Sequence, residues 1–438
     1  PEGAASSLPQ AGHYDKFGNV LTVDHYYKFS TSKDTTITLD SSGLVTDYDR
    51  TLIKNRYMED WLNWPAHLGA PFYDIDNDGI YEPLEGETPG YADADEVIWY
   101  VATDADAAVT SSLYGSEPIG IELQFTVFSY DHPETLLKES VFKRVRIINK
   151  STNLTSENGD DLTDAYISLW SDPDVGDYTN DLVGVDTSLS MMFAYNGDSV
   201  DGDFAALDLA PPSVGYTFIH GPKVQGSSTD TAIFDFKKVP YYKNLPASSF
   251  GYFVAGGAYS DPGPYGDSEA AREYYNLMRG FAPLSDLDNP TAWVDSYGNP
   301  TKFPFAGDPV SGTGDLDTNP SDRRMLINSG PFTLAVGDTQ DVLFSVTGGL
   351  GDNYLSSISQ LNENAFAAKE FSASLVGTLT NPTPDTTVQY ITWYPGDTDH
   401  NGVVDEYDIL SIGMYFLGTT TALDTSGGSF AWSARNSI

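Results

Sequence analysis

Cysteine is absent from all 438 residues. Its absence removes disulfides, thiolate nucleophiles and Cys-ligated zinc together. Basic side chains are scarce, with 22 Lys and Arg against 63 Asp and Glu, a net charge of -41. Such a surface repels phosphate backbones and anionic headgroups, so nucleic acid is excluded as a partner and an anionic membrane surface is disfavoured. No apolar run approaches the roughly 20 residues that cross a bilayer, and membrane insertion is not expected. Catalytic signatures are missing as well. The six histidines (His13, His25, His67, His132, His220 and His400) form neither an H-E-x-x-H nor a facial triad. There is no G-x-S-x-G elbow and no P-loop. With 63 acids, chance carboxylate pairs are inevitable and carry no information about glycoside hydrolysis. The expectation is a protein that is not an enzyme.

What is present is acid in a particular order. In "FYDIDNDGIYEPLEGE", Asp74, Asp76, Asp78, Gly79 and Glu85 fall at positions 1, 3, 5, 6 and 12 of a D-x-D-x-D-G-x5-E calcium loop. Calcium takes six to eight oxygens at about 2.3–2.6 Å, and alternate side chains on a tight loop converge on one point. Gly79 permits the sharp turn, the Ile80 carbonyl serves position 7, and Glu85 closes the set. Pro83 discourages the helix that would leave a standard EF-hand.

The pattern returns in "YPGDTDHNGVVDEYDILSIGMYFLG". Asp397, Asp399, Asn401, Gly402, Asp405 and Asp408 take positions 1, 3, 5, 6, 9 and 12, with the Val403 carbonyl at 7. Ile409, Leu410, Ile412, Met414, Tyr415 and Leu417 follow at helical spacing. A calcium loop running into one such helix, with Asp at the last position, resembles one half of a dockerin repeat over about 22 residues. The resemblance implies a calcium-stabilised module that docks onto a partner. One half is present where dockerins carry two. Ca2+ is the cofactor expected at both loops.

The fold class expected is mainly β, a large sandwich-like body decorated by a few short helices. Residues 1–45 read as an extended arm containing the alternating "TTITLD". Residues 46–375 read as the β-rich body with its calcium loop, 376–394 as a linker and strand, and 395–438 as the half-dockerin-like module. "EVIWYVATD", "IGIELQFTVFSYD", "SVFKRVRIINKS", "DAYISLWSD", "LSMMFAYNGD", "VGYTFIHGP" and "TAIFDFKKV" are short β-branched and aromatic runs, punctuated by Gly, Asp, Asn and Pro. "PFTLAVG" and "QDVLFSVTGG" read as two more strands. "DYDRTLIKNRYMEDWLNW", stopped by Pro65, is a helix by its spacing. So are "SEAAREYYNLMRG", with Ser268 and Gly280 as expected caps, and "SSISQLNENAFAAKEF".

A wider resemblance runs from about Asn63 to Gly418, carried by "NWPAHLGAPFYDIDNDGIYEP", "LWSDPDVGDYTNDLVGVDTSLSMMFAYNGD", "TKFPFAGDP" and "DRRMLINSGPFTLAVGD". In this order the segments resemble large secreted bacterial proteins of the type IX secretion kind. The resemblance implies export and an extracellular or cell-surface location, and brings no catalytic residues with it. Pro1 at the start fits a processed mature chain. With 13% aromatic residues and 28 Tyr, a cation-rich secreted setting is preferred to halophilic adaptation.

Further acids mark weaker metal sites. Asp172, Asp174, Asp177, Asp181 and Asp186 crowd what reads as an inter-strand loop, and Asp315, Asp317 and Asn319 form a shorter set with Pro320 where a glycine would stand. Asp198, Asp201 and Asp203 read as a polar hairpin. Asn149 and Asn153 lie in N-glycosylation sequons, and Asp-Thr-Thr or Asp-Thr-Ala at 34–36, 230–232 and 385–387 resembles a short bacterial O-glycosylation motif, so glycans are possible partners. The functional expectation is a calcium-binding structural protein that assembles with itself into a filament or surface layer. The arm would add a strand to a neighbour's sheet edge. The alternative is a polysaccharide-binding or polysaccharide-degrading module tethered through its dockerin-like end.

Overall fold

The computed structural model describes residues 57–91, 94–130, 136–151, 160–257, 259–263 and 267–377, together with the backbone of strand β1 (Tyr26–Phe29). The rest of the N-terminal arm and the whole of 397–408 lie outside the described residues, so the second calcium loop and the dockerin-like helix are not described. The chain divides into two compact units. The described residues of one lie within Tyr26–Ala92, and those of the other within Asp93–Leu379.

The smaller unit holds helix α1 (residues 57–62), 3-10 turns at Ala66–Leu68 and Pro83–Glu85, and the short strands β2 (Phe72–Tyr73) and β3 (Thr88–Pro89). Pro65 follows α1 as the spacing predicts. β2 and β3 pair antiparallel, Phe72 with Pro89 and Tyr73 with Thr88, and clip the two ends of the 74–87 loop together.

The larger unit begins with β4 (Glu96–Thr103), α2 (Ala107–Tyr114), β5 (Ile121–Ser129), β6 (Ser140–Asn149) and β7 (Leu162–Ser171). Next come β8 (Asp181–Asp186), β9 (Met191–Asn196), α3 (Gly202–Ala205) and β10 (Ser213–His220). Short strands follow: β11 (Lys223–Gln225), β12 (Thr231–Phe234), β13 (Lys237–Pro240) and β14 (Tyr242–Asn244). β15 (Ser249–Val254), α4 (Ser268–Arg279), β16 (Trp293–Val294), β17 (Pro300–Thr301), β18 (Arg323–Leu334), β19 (Thr339–Gly349) and α5 (Tyr354–Ser374) complete it.

Within this unit β4, β5, β6, β19, β10, β9 and β8 lie side by side in that order, antiparallel throughout. A second sheet runs β15, β18, β7. The period-two alternation of strands explains how these sheets stack. Met192 and Ala194 of β9 and Val183 and Val185 of β8 share one core with Phe250, Met325 and Ile327 of the second sheet. The intervening side chains of the large sheet, Leu182, Met191, Phe193 and Tyr195, instead meet Ile358, Leu361 and Ala365 of α5. On the far side of the small sheet, Phe253 and Leu326 meet Leu277 of α4. The unit is therefore a sandwich with a helix on each outer face, and α4 and α5 are structural layers rather than decoration.

Several local expectations are corrected. "TAIFDFKKV" is two strands, not one: Asp235 and Phe236 sit at φ 52 and 53, the left-handed pair of a tight hairpin turn. "DLVGVD" is strand β8, not loop. The cap of α4 is Asp267, which accepts from the Glu269 amide, with Ser268 inside the helix. Asp201 is more than a hairpin acid. It caps α3 and is buried, accepting from the Asp177 amide at 2.8 Å and from Asn196 Nδ2 at 3.0 Å. Asn149 is 1% exposed and donates to the carbonyls of Asp160 and Leu334, which closes that sequon to a glycan.

Candidate metal centre

The loop from Asp74 is wound by its own side chains. Asp74 accepts from the Asn77 amide through Oδ1 at 2.7 Å and from the Gly79 amide through Oδ2 at 3.0 Å. Asp76 Oδ1 accepts from the Asp78 amide at 3.2 Å, and Asp78 Oδ1 from the Ile80 amide at 2.7 Å. Asn77 (φ 63) and Gly79 (φ 78) take the left-handed conformation that the winding needs, and glycine adopts it without a Cβ penalty. One carboxylate oxygen from each of Asp74, Asp76 and Asp78 lies within 4.8 Å of the others.

Of the residues expected from spacing, the structure brings these three aspartates together. Glu85 is exposed at the end of the 3-10 turn Pro83–Glu85 and does not belong to the converging group. Ile80 is exposed. Glu82, at position 9, senses its acidic surroundings: the charge of Glu85, then burial, then Asp78 and Asp76, raise its carboxyl above the usual range.

The residue that spacing did not indicate is Glu87, at position 14. It is buried and accepts from the Ile75 amide through Oε1 at 3.0 Å and from the Glu82 amide through Oε2 at 2.7 Å. One carboxylate thus ties the entry of the loop to its exit. Burial raises the Glu87 carboxyl, with the charges of Asp74 and Asp76 adding to the effect. Tyr81 braces the same side. Its hydroxyl donates to the Trp61 carbonyl at 2.8 Å and its ring meets Phe72 edge-on at 5.5 Å, while burial and Glu87 keep the phenol protonated. The only sequence signal for Glu87 was its place just before β3, which is a tertiary fact.

In the larger unit the structure sorts the acids of 172–186. Asp177 accepts from the Thr179 amide at 3.0 Å, and Asp186 from the Ser188 and Leu189 amides at 2.8 and 3.0 Å. Both shape turns. Asp172 and Asp174 converge instead with Asp322, from a segment some 150 residues later, to within 4.8 Å. Arg324 lies beside them, 3.2 Å from Asp172 Oδ2 and 2.6 Å from Asp322 Oδ1. Asp181 is fully buried, and burial, abetted by Asp174, Asp322 and Asp172, lifts its carboxyl to about 7. Asp315 and Asp317 have partners of their own. Asp315 accepts from the Ser296 and Phe305 amides at 2.9 and 2.7 Å, and Asp317 holds Arg323 at 2.7 Å in a buried ion pair. No known protein family matches the chain, and no curated protein resembles it.

Proposed function

We propose that this chain is a secreted, calcium-binding structural protein that assembles with itself into an extracellular filament or surface layer. The observation that carries the reading is the convergence of Asp74, Asp76 and Asp78 on a loop held closed at both ends. Three carboxylates at this spacing repel one another, and a hard cation with oxygen ligands offsets that repulsion. Asp76 Oδ2, Asp78 Oδ2 and the Ile80 carbonyl accept no hydrogen bond among the described residues, and each is a donor of the type calcium takes. Glu85, which stands apart from the three aspartates on the 3-10 turn Pro83–Glu85, would close the set from the twelfth position once an ion is bound, and Asp397, Asp399, Asn401, Val403 and Asp408 form the second loop.

Assembly draws support from the contrast between two sheet edges. The outer edge of β8 is sealed: the Val183 amide donates to Asp317 Oδ2 at 3.3 Å and the Val185 amide to the Phe305 carbonyl at 3.2 Å. β7, the end strand of the small sheet, has no further strand beside it among the described residues. Its ten residues carry one charged side chain, Asp164, and an exposed Trp170. In a chain this acidic, a nearly neutral edge suits strand addition from a second copy.

Scanning calorimetry of the chain with calcium and with EDTA tests the metal. The melting temperature falls on chelation, and the Asp74→Asn/Asp76→Asn variant loses part of that response. Superimposable curves in calcium and EDTA would remove calcium as the staple. Negative-stain microscopy in calcium tests assembly. A protein that stays monomeric at high concentration favours the polysaccharide-binding alternative.

A further inference from the structure

We propose that the hairpin lobe spanning residues 221–245 is a basic docking surface for the acidic body of a second copy of this chain, and that the contact runs head to tail. The inference rests on the self-assembly reading above and names a surface that carries it.

The lobe has the opposite charge balance to the molecule. In the whole chain 63 acids stand against 22 bases, whereas here Lys223, Lys237, Lys238 and Lys243 stand against Asp230 and Asp235 alone. Both of these acids are already engaged. Asp230 shapes its turn by accepting from the Ser227 amide at 2.6 Å, and Asp235 is held by Arg144 and, at 2.9 Å, by Arg146 of β6. None of the four lysines has a carboxylate within ion-pair distance among the described residues. Lys237, Lys238 and Lys243 are exposed. Lys223 is fixed, with Nζ 4.4 Å from the centre of the Phe234 ring and 5.0 Å from that of Tyr242. Its backbone exchanges hydrogen bonds of 2.8 and 3.0 Å with the Gln340 side chain of β19. The lobe is thus anchored to the large sheet and presents its lysines from two short ladders, β11–β14 and β12–β13.

An independent observation marks the same surface. Tyr241, between Lys238 and Lys243 in the chain, is 57% exposed and sits at φ 68. A bulky side chain in the left-handed region is strained. Backbone hydrogen bonds keep it there: its amide donates to the Asp230 carbonyl at 2.9 Å, and its carbonyl accepts from the Gly226 amide and from Gln225 Nε2, each at 2.8 Å. Asparagine or glycine would make this turn at lower cost. The tyrosine is instead held out to solvent, rigid and flanked by cations, as an anchor for an interface. Charge decides the occupant. An anionic partner is required, and self-assembly brings into reach another copy that carries -41. Lobe against lobe would set like charges opposite each other, which disfavours a two-fold contact. Lobe against acidic body is favourable and uses two different surfaces of each copy. Such a heterologous contact propagates rather than closing as a dimer. The lobe does not cancel the net repulsion; it selects which surfaces meet.

The test compares the full chain with Lys238→Glu/Lys243→Glu, Lys238→Arg/Lys243→Arg and Tyr241→Asn, in calcium at physiological ionic strength, by sedimentation and negative-stain microscopy. Charge reversal should weaken self-association about tenfold or more, and the arginine pair should retain it. Both positions are exposed, so all the lysine variants should melt close to the parent. Tyr241→Asn should weaken association while raising the melting temperature, because asparagine suits the positive φ. Added to the parent in less than equimolar amount, the charge-reversed protein should shorten filaments: its acidic body still enters a neighbour's lobe, but its own lobe accepts none. Charge-reversed protein that assembles like the parent would overturn the docking surface and leave the self-assembly reading standing. A parent that stays monomeric throughout would overturn both. If charge reversal abolishes binding to polygalacturonate and leaves assembly unchanged, the surface belongs to an anionic glycan and the proposal is equally overturned.

Discussion

At the scale of single residues, Glu87 shows how a buried acid can shape a metal loop without matching its motif. Both carboxylate oxygens are engaged by backbone amides of the loop. In Glu87→Gln one of those amides meets an NH2 group, and a buried donor is left unsatisfied at a cost of about 1–3 kcal/mol. Hydrogen exchange of the Ile75 and Glu82 amides should accelerate, about tenfold for each 1.4 kcal/mol. Unaltered protection would mean that β2–β3 pairing alone closes the loop. His220 supplies a residue-scale pH effect. Burial, with Lys369 adding to it and Asp341 opposing it, lowers its imidazole to about 4. The folded state holds it neutral, so its stabilisation is present above about 6.5 and is lost as pH falls from there through 4. That shift corresponds to at most about 3 kcal/mol. Urea unfolding at pH 7.5 and pH 4 should show the parent losing more stability than His220→Gln, and equal losses would count against the assignment.

At the scale of elements, α5 lies on the large sheet because glycine lets it. A Cβ at Gly349 would come within 2.3 Å of the Ser357 carbonyl oxygen and 2.5 Å of the Leu361 nitrogen. Gly349→Ala should therefore push the helix outward and cost about 1–3 kcal/mol or more. Leu361→Ala, at a fully buried position, should cost about 2–5 kcal/mol by leaving a cavity in the same layer. Gly337→Ala is the control: its φ is 79 with nothing within 4 Å of the added Cβ, so only backbone strain of about 1 kcal/mol is expected. Chemical denaturation of the three variants ranks them, and a Gly349→Ala no worse than Gly337→Ala would refute the close approach. The elements also show what the sequence could reveal. β-branched alternation marked most strands, and the apolar spacing of α4 and α5 marked those helices. "AAVTSSLY" gave no amphipathic signal, and α2 forms there through the Asp106 cap. "RRMLIN" was missed as the first half of β18, because its buried positions are nearly continuous and the alternation disappears. The loop at 74–85 was legible because its acids are contiguous. Asp322 was not, because only strand register brings it to Asp172.

At the scale of the whole molecule, a net charge of -41 opposes any contact between copies, and assembly must overcome it. Two remedies differ in their salt dependence. Simple screening shortens the Debye length to about 8 Å at physiological ionic strength and works with any salt. Bound calcium removes charge at fixed positions and works only with calcium. If assembly proceeds through the β7 edge with a strand such as "TTITLD" from a neighbour, calcium should promote it at constant ionic strength where sodium does not. Deleting residues 1–30 leaves that strand in place, whereas deleting 1–45 removes it, so the longer truncation should abolish assembly even if the shorter only weakens it. Trp170→Glu should block assembly from the acceptor side. Trp170 is 48% exposed, so its replacement should leave the melting temperature within a few degrees of the parent's. Sedimentation and negative-stain microscopy on the parent, the two truncations and Trp170→Glu separate the cases. Filaments from the 46–438 chain would exclude the arm as donor, and filaments from Trp170→Glu would exclude β7 as acceptor. A calcium response equalled by sodium at the same ionic strength would reduce the cation to a screening role.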